Sequence, residues 1–251
     1  MKLINKAGFT IIEVMLFLSI TGLLAVGILA GASSSINIQR YRDSVTSLQA
    51  IIQQQYSEVI NVSNDRVTTT FCNNDSDVLK FETKTSSINR GQSDCQMLGK
   101  LITVLDNKQL AINTIVGARK TTTPKQSSDI KELEQYSFGS LPGGSSTYKV
   151  EWGSRLVNSE NSLNFQFSIF IVRSPISGVV NTFINPTVNL FGSQINNAIN
   201  SDAVDPNKSS LKICVDSGGL FAGTKSAVLV KAGSTSAAGV EILGDATSGC
   251  L

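Results

Sequence analysis

Two hydrophobic patterns follow one another along the first 60 residues. Phe9 to Ala32 is an apolar run of 24 residues that contains one charge, Glu13. At about 1.5 Å rise per residue the run makes about 36 Å of helix, enough to cross a hydrocarbon core about 30 Å thick. A helical periodicity follows at Ile38, Tyr41, Val45, Leu48, Ile52, Tyr56 and Val59. We therefore expect one helix of roughly 50 residues, ending near Asn61, with this second face buried.

Beyond Asn61 the chain changes to Ser, Thr, Asn and Gly with short apolar runs, which is typical of a β-rich domain. The predicted strands are Val78–Phe81, Lys100–Leu105, Gln109–Val116, Tyr148–Trp152, Leu163–Ile171, Val179–Ile184, Leu211–Val215, Ala227–Val230 and Val240–Leu243. Asp106–Lys108 is a predicted hairpin turn, and the last three strands are predicted to be antiparallel. The expected fold class is α+β, with the long helix packed on an antiparallel sheet.

Four segments between the strands carry further expectations. Asn73–Asp94 is polar and is predicted to be a loop with one short strand. Asp129 to Tyr136 is predicted to be a short helix, with Asp129 as N-cap and Glu132 as the reciprocal glutamate of a capping box. Leu141–Ser146 is rich in Pro and Gly and is predicted to be a flexible loop. Asn185–Lys208 is long, so it is our first expectation for a surface that contacts a partner.

The nearly balanced charge of the chain does not by itself indicate a nucleic-acid partner. The chain of 251 residues has 21 Lys and Arg against 19 Asp and Glu, and it has no basic block. Nucleic-acid binding is therefore not predicted. After the helix about 190 residues remain, enough for one hydrophobic core, so one distal domain is expected.

The four cysteines, Cys72, Cys95, Cys214 and Cys250, all follow the apolar helix. An even number of cysteines in an exported domain indicates disulfides. Of the three possible pairings we predict the local one, Cys72–Cys95 with Cys214–Cys250, because short loops close more readily in the unfolded chain. A zinc site is the alternative, but the chain has no C-x-x-C pair and no histidine.

The absence of histidine also removes the commonest general base near neutral pH and every nucleophile system that depends on it. Paired carboxylates near Asp129 and Glu132 remain, but their spacing is that of a helix start. We expect a protein that is not an enzyme and that needs no cofactor or metal.

Glu13 is the informative exception in the apolar run. A carboxylate within a membrane segment costs on the order of 2.5–3.5 kcal/mol, so it usually has a partner or a role. It follows Phe9 by four positions, and Lys6-Ala7-Gly8 directly precedes Phe9. The order Gly8-Phe9-Thr10-Ile11-Ile12-Glu13, followed by an apolar helix, resembles the processing and assembly signature of type IV prepilins and the related pseudopilins.

This resemblance implies that a membrane-embedded prepilin peptidase cleaves between Gly8 and Phe9, and that Phe9 is N-methylated. It implies that Glu13 pairs with the freed amino group of Phe9 in a neighbouring pilin subunit, within a filament core made of packed helices. Lys2 and Lys6 place the N-terminus in the cytoplasm. The chain would lie in the cytoplasmic membrane until a pilus assembly platform moves it into a cell-surface filament or an envelope pseudopilus of a type II secretion system.

Three glycines in the run are candidates for helix packing. Gly22 stands where pilins often carry a glycine that loosens the helix, although the proline that many pilins have eight residues later is replaced here by Ala30. Gly27 and Gly31 form a G-x-x-x-G pattern, which lets neighbouring membrane helices approach closely.

Other interpretations remain open. A secretory signal would use Ala30-Gly31-Ala32 as its cleavage site, but the run is longer than the usual 7 to about 15 residues and contains a charge. A plain single-pass anchor leaves Glu13 unexplained. A pilus-borne adhesin is the third alternative, and one Trp and four Tyr give it little support.

The resulting division is a leader (1–8), a membrane and filament-core helix (9–32), its amphipathic continuation (33–60) and an extracytoplasmic head (61–251). The expected function is a structural filament subunit. We expect a minor or accessory subunit, because a head of about 190 residues with long loops is hard to repeat at every helical step of a filament.

Overall fold

A long helix, α1 (Ile11–Asn61, 51 residues), leads into antiparallel sheets in the computed structural model of the chain. The structure describes residues 10–61, 70–83, 93–121, 123–160, 162–163, 165–186, 188, 190, 194–195, 210–219 and 225–250. The predicted α+β class is confirmed. So is the continuous helix, which ends at Asn61 as expected.

Within the described residues, eleven strands form three antiparallel sheets. The strands are β1 (Thr70–Asp75), β2 (Val78–Thr83), β3 (Gln96–Asp106), β4 (Gln109–Arg119), β5 (Tyr136–Lys149), β6 (Arg155–Val157), β7 (Ser168–Arg173), β8 (Val180–Asn185), β9 (Leu211–Asp216), β10 (Ser226–Val230) and β11 (Val240–Leu243). One sheet has the order β5-β4-β3-β7-β8, another has the order β11-β10-β9-β6, and β1 and β2 form a separate hairpin.

The main core lies where α1 meets the two larger sheets. The side chains of Leu48 and Ile52 on α1 are fully buried together with residues of β3, β4 and β7 on one side and of β9, β10 and β11 on the other. One hydrophobic cluster therefore joins the distal half of the helix to both sheets.

The opposite face of the five-stranded sheet is also covered. Phe170 of β7 and Phe183 of β8 are buried there, with ring centroids 6.3 Å apart. Leu133, from the short helix α2 (Asp129–Leu133), belongs to the same cluster. With both faces buried, β7 has a continuous apolar run from Ile169 to Val172, and β3 is buried at every position from Leu98 to Val104 rather than at alternate ones.

The hairpin β1–β2 packs on the outer side of β4 and β5. Cys72 is buried beside Val116 and Leu141, and Phe81 lies close to Gly139. The short strand at Val78–Phe81 was predicted, but β1 was not, because its sequence Thr-Phe-Cys-Asn-Asn-Asp is mostly polar.

The predicted loop Leu141–Ser146 is wrong. These residues lie within β5, where Ser140 pairs with Ile115 and Ser145 pairs with Asn113. Four residues therefore lie opposite one residue of β4, which is a bulge. Gly143 has φ 75° inside it, so the turn-forming residues bend a strand rather than end it.

Two strand predictions need correction at their ends. The strand predicted from Leu163 begins only at Ser168, and Leu163 is 48% exposed. The strand predicted through Trp152 ends at Lys149, and a 3₁₀ turn follows over Glu151–Gly153. Strand β6 was missed because it has only three residues, too few to show a pattern.

The capping box predicted at the start of α2 is also wrong. The N-cap position is Ser128, and Asp129 lies inside the first turn. The carboxylate of Asp129 accepts hydrogen bonds from the hydroxyls of Ser174 and Ser177 at 2.5 and 2.6 Å. The helix ends at Leu133 because Tyr136 already belongs to β5.

Candidate assembly and membrane helix

The N-terminal half of α1 is apolar on all sides and has no cover from the rest of the described chain. Thirteen large apolar side chains between residues 11 and 29 are each at least 47% exposed. They are Ile11, Ile12, Val14, Met15, Leu16, Phe17, Leu18, Ile20, Leu23, Leu24, Val26, Ile28 and Leu29. The helix is long and apolar enough to cross a membrane, and no residue of its most apolar 18-residue window is buried. Such a surface needs lipid or other helices around it.

The few hydroxyls in this half are satisfied within the helix itself. Ser19 Oγ donates a hydrogen bond to the carbonyl of Met15 at 2.8 Å, and Thr21 Oγ1 donates to the carbonyl of Phe17 at 2.8 Å. Neither residue therefore presents an unpaired donor to an apolar environment.

Glu13 lies in the first helical turn and is exposed. Its backbone N–H is bonded to the carbonyl and the hydroxyl oxygen of Thr10 at 3.1 and 3.3 Å. Among the described residues no cation forms a salt bridge with its carboxylate. The carboxylate is thus available to a partner from outside this chain. Gly8 and Phe9, the predicted processing residues, lie outside the described residues.

The three candidate packing glycines are exposed within the chain. A Cβ atom built on Gly22, Gly27 or Gly31 would meet nothing within 4 Å. The helix passes through all three without interruption. No contact with the described residues explains them, and their role in helix packing stays a prediction about neighbouring helices.

The distal half of α1 is fixed to the head by the predicted face. The buried residues of α1 are Tyr41, Ser44, Val45, Leu48, Ile52, Gln55, Tyr56 and Val59. Ile38 was also predicted to be buried, but it is 39% exposed. The buried face therefore begins at Tyr41, one turn later than the periodicity indicated.

Two tyrosines on this face connect the helix to the sheets. The hydroxyl of Tyr41 donates to the carbonyl of Val215 on β9 at 2.8 Å and accepts from the N–H of Ser226 on β10 at 2.6 Å. The hydroxyl of Tyr56 lies 2.8 Å from Thr182 Oγ1 on β8. Burial raises the pKa of Tyr56, which keeps this phenol protonated.

Beside the buried face, two glutamines bind the edge strand of the four-stranded sheet. Gln49 Nε2 donates to the carbonyl of Val240 at 2.9 Å, and Gln53 Nε2 donates to the same carbonyl at 3.1 Å. Both side chains therefore donate to the carbonyl of the first residue of β11. The contacts of Gln49, Gln53 and Lys100 were not predicted from the sequence; the available signal was the position of Gln49 and Gln53 next to the apolar face.

The far end of α1 carries a largely buried ion pair. Lys100 Nζ on β3 lies 2.9 Å from Glu58 Oε2, and the side chains are 7% and 25% exposed. The same Nζ donates to Thr114 Oγ1 at 3.0 Å. The pair joins the last turn of α1 to the central strand of the five-stranded sheet.

Both disulfides are present, with the local pairing expected from the sequence. Cys72 is bonded to Cys95, which joins β1 to the residue before β3. Cys214 is bonded to Cys250, which ties the C-terminal residues to β9. The first bond fixes the hairpin β1–β2 beside the start of β3, and the second fixes the C-terminal segment to a strand of the four-stranded sheet.

The carboxylates near α2 form structural contacts rather than a reactive pair. Glu132 is buried and accepts from Arg119 Nε at 2.7 Å and from the N–H of Gln126 at 2.8 Å. Burial by itself raises the pKa of Glu132, but these hydrogen bonds outweigh it and hold the pKa below its ordinary value. Hydrogen bonds from Ser174 and Ser177 likewise lower the pKa of Asp129. Among the described residues, no group of three or more His, Cys, Asp or Glu side chains could hold a metal.

The segment expected to contact a partner, Asn185–Lys208, is described only in part. Leu190 and Ile195 are 8% and 0% exposed and cover Phe170 and Phe183. At these two positions the segment is therefore part of the hydrophobic core and not of an exposed contact surface. The rest of this expectation falls mostly outside the described residues.

Comparisons with protein-family models, with curated proteins and with solved structures gave no match.

Proposed function

We propose that this chain is a structural subunit of a type IV pilus or of a type II secretion-like filament, assembled through the apolar half of α1 after removal of residues 1–8. The observation that carries the proposal is the contrast between the two halves of one continuous helix. The distal half is buried in the head, and the apolar half is exposed on every side with one carboxylate near its end.

The exposed apolar surface is large enough to require an apolar cover both before and after assembly. Thirteen large apolar side chains are exposed between Ile11 and Leu29. Complete burial of one such side chain contributes about 1.5–3 kcal/mol, so covering most of this surface is worth on the order of 10–20 kcal/mol. Lipid supplies that cover before assembly, with the head outside the cytoplasmic membrane. Helices of neighbouring subunits supply it in the filament, at the cell surface or within the envelope.

Glu13 gives the assembled state its specificity. Its carboxylate is exposed and is four residues from Phe9, the residue that carries the new amino group after cleavage. Pairing between the Glu13 of one subunit and the Phe9 amino group of the next removes two uncompensated charges from an apolar core. A single-pass anchor would have no such requirement.

The first experiment is mass spectrometry of the mature N-terminus from the native cell. The proposal expects a chain that begins at Phe9 with an N-methyl group, released by a prepilin peptidase. A chain that begins at Ser33 would indicate a secretory signal, and an intact Met1 would indicate a plain anchor. Either result contradicts the proposal.

The second experiment compares Glu13→Ala and Glu13→Val with Glu13→Asp, which retains the charge. Insertion of the uncharged variants into membranes should be equal or better, because a costly carboxylate is gone, but their amount in sheared filaments should fall. Glu13→Asp should recover part of the incorporation. Equal incorporation of all variants would remove the assembly role of Glu13.

We further propose that the chain is a minor or accessory subunit. Quantitative proteomics of purified filaments tests this rank directly. If the chain is the most abundant pilin-like protein in them, it is the bulk subunit instead.

A further inference from the structure

The contacts of α1 with the head show which head residues lie near each end of the helix. The guanidinium carbon of Arg40 lies 5.1 Å from the ring centroid of Trp152. Further along the helix Glu58 pairs with Lys100, and Arg173 Nη1 lies 3.5 Å from the carbonyl of Ile60. At about 1.5 Å per residue, Arg40 and Ile60 are separated by about 30 Å along the helix. Trp152 is therefore at the end of the head from which the apolar half of α1 emerges.

The turn between β3 and β4 reaches the same end. The carbonyl of Lys108 accepts the N–H of Val150 at 2.8 Å, and the carbonyl of Asn107 accepts the N–H of Leu156 at 2.7 Å. The hairpin tip is thus hydrogen-bonded on both sides of the 3₁₀ turn that carries Trp152.

Three large apolar side chains are exposed at this end. Trp152 is 49% exposed, Leu105 is 55% exposed and Leu163 is 48% exposed. Leu105 and Leu163 line one groove of about 490 Å³ beside the hairpin tip. We call these three residues together with Arg40 the head base.

The backbone holds the Trp152 ring away from the core. Trp152 has φ 55° and ψ 24°, a left-handed conformation that bulky residues seldom adopt. Gly153 follows with φ 75°, and the preceding Val150 is buried. The turn therefore directs Val150 inward and leaves the indole against Arg40 at the surface.

The length of α1 places the head base close to a bilayer surface. A hydrocarbon core about 30 Å thick takes about 20 helical residues. If Glu13 lies at one edge of the core, the other edge falls near Ser33, and Arg40 lies about 10 Å further along the axis. Side chains on a helix lean toward its N-terminus, so the Arg40 guanidinium comes down toward a headgroup layer about 5–7 Å thick. The Trp152 ring centroid lies 5.1 Å from the guanidinium carbon, so the indole is at a similar depth.

The charges around the head base are mixed. Arg40, Lys108 and Lys149 are offset in part by Asp106 and Glu151 in the same region, which leaves one excess positive charge. A single excess charge does not make an anionic lipid a requirement for the contact. Tryptophan is enriched at membrane interfaces because its ring is apolar and its N–H is polar, and leucines beside it add apolar contact.

From these observations we propose that the head base contacts the lipid headgroups while α1 spans the membrane, with Trp152 as the interfacial anchor. The inference rests on the membrane-inserted state of the proposed function. It adds a second membrane contact, which fixes the tilt and the rotation of the head above the bilayer.

Trp152 is the only tryptophan in the chain, so its fluorescence reports on this contact alone. The full chain is reconstituted into phosphatidylcholine vesicles that carry a nitroxide either on the headgroup or in the middle of the acyl chain. The matched control is W152F/I176W, which moves the tryptophan to the opposite end of the head, where Ile176 is 52% exposed. Flotation of the vesicles verifies insertion of both proteins.

The headgroup nitroxide should quench Trp152 several-fold more than it quenches the control tryptophan, and the acyl-chain nitroxide should quench Trp152 less. Replacing part of the phosphatidylcholine by an anionic lipid should leave the quenching unchanged. Equal headgroup quenching of the two proteins in floated vesicles overturns the inference and leaves the proposed function intact. Protection of Trp152 that rises with the protein-to-lipid ratio, without headgroup quenching, would assign the head base to a second copy and also overturn it. A chain that fails to float contradicts the membrane-inserted state itself.

Discussion

Substitutions of two leucines on α1 test whether its distal half stabilises the head while its apolar half does not. Leu48 is 0% exposed, between the two larger sheets, and Leu24 is 58% exposed in the apolar half. Leu48→Ala removes a fully buried side chain from a rigid β framework that cannot collapse into the gap. Buried Leu→Ala substitutions cost about 2.7–5.0 kcal/mol, whereas exposed substitutions usually stay within about 0.5 kcal/mol.

For a head of this size, each kcal/mol lowers the Tm by about 2–4 °C. Leu48→Ala should therefore lower the Tm of the head by roughly 10 °C, and Leu24→Ala should leave it nearly unchanged. The assay is thermal and urea unfolding of the full chain in mild detergent. The near-ultraviolet circular dichroism of the buried tyrosines monitors the unfolding.

The same two variants should behave in the reverse order during assembly. Leu24→Ala removes apolar surface that lies on the candidate filament core, so it should reduce recovery in sheared filaments while the head stays stable. If Leu48→Ala and Leu24→Ala unfold within about 0.5 kcal/mol of each other, the distal half of α1 is not part of the cooperative core of the head, and the reasoning is refuted.

Three further outcomes are expected. Glu58→Ala should destabilise the head by about 2–4 kcal/mol because it leaves the Lys100 ammonium buried without this carboxylate. Combining Glu58→Ala with Lys100→Met should recover most of that loss. Additive effects in a double-mutant cycle would show that the pair is not coupled. Because the pKa of Glu132 is lowered in the folded state, the stabilisation by its carboxylate is complete above about pH 4.5, the ordinary pKa, and is lost as the pH falls through the folded pKa. Glu132→Gln should therefore flatten the loss of unfolding free energy below about pH 4.5; an unchanged loss in that range would contradict this. Replacing Cys214 and Cys250 together by Ser should lower the free energy of unfolding by about 4 kcal/mol according to the chain-entropy relation, and urea unfolding measures this loss. A loss below about 1 kcal/mol would mean that packing, and not the disulfide, holds the C-terminal segment.

Short-range pattern in the sequence was enough to determine α1. The apolar run and the periodicity that follows need only the neighbours along the helix, so the helix, its end at Asn61 and most of its buried face were predicted correctly. The same holds for the hairpin β3–β4, since the apolar runs and the turn Asp106–Lys108 are local signals. The local disulfide pairing follows from loop length in the unfolded chain.

Only the tertiary structure decided what the ambiguous segments become. Leu141–Ser146 has the residues of a loop, but hydrogen bonds to β4 hold it in β5 as a bulge. The carboxylates of Asp129 and Glu132 have the spacing of a cap, but distant serines and Arg119 bind them more favourably. Trp152 looked like the end of a strand, and its exposed position against Arg40 depends on how α1 crosses the sheets. In each case the deciding partner belongs to another element of the fold, and the local pattern of residues does not indicate which element that is.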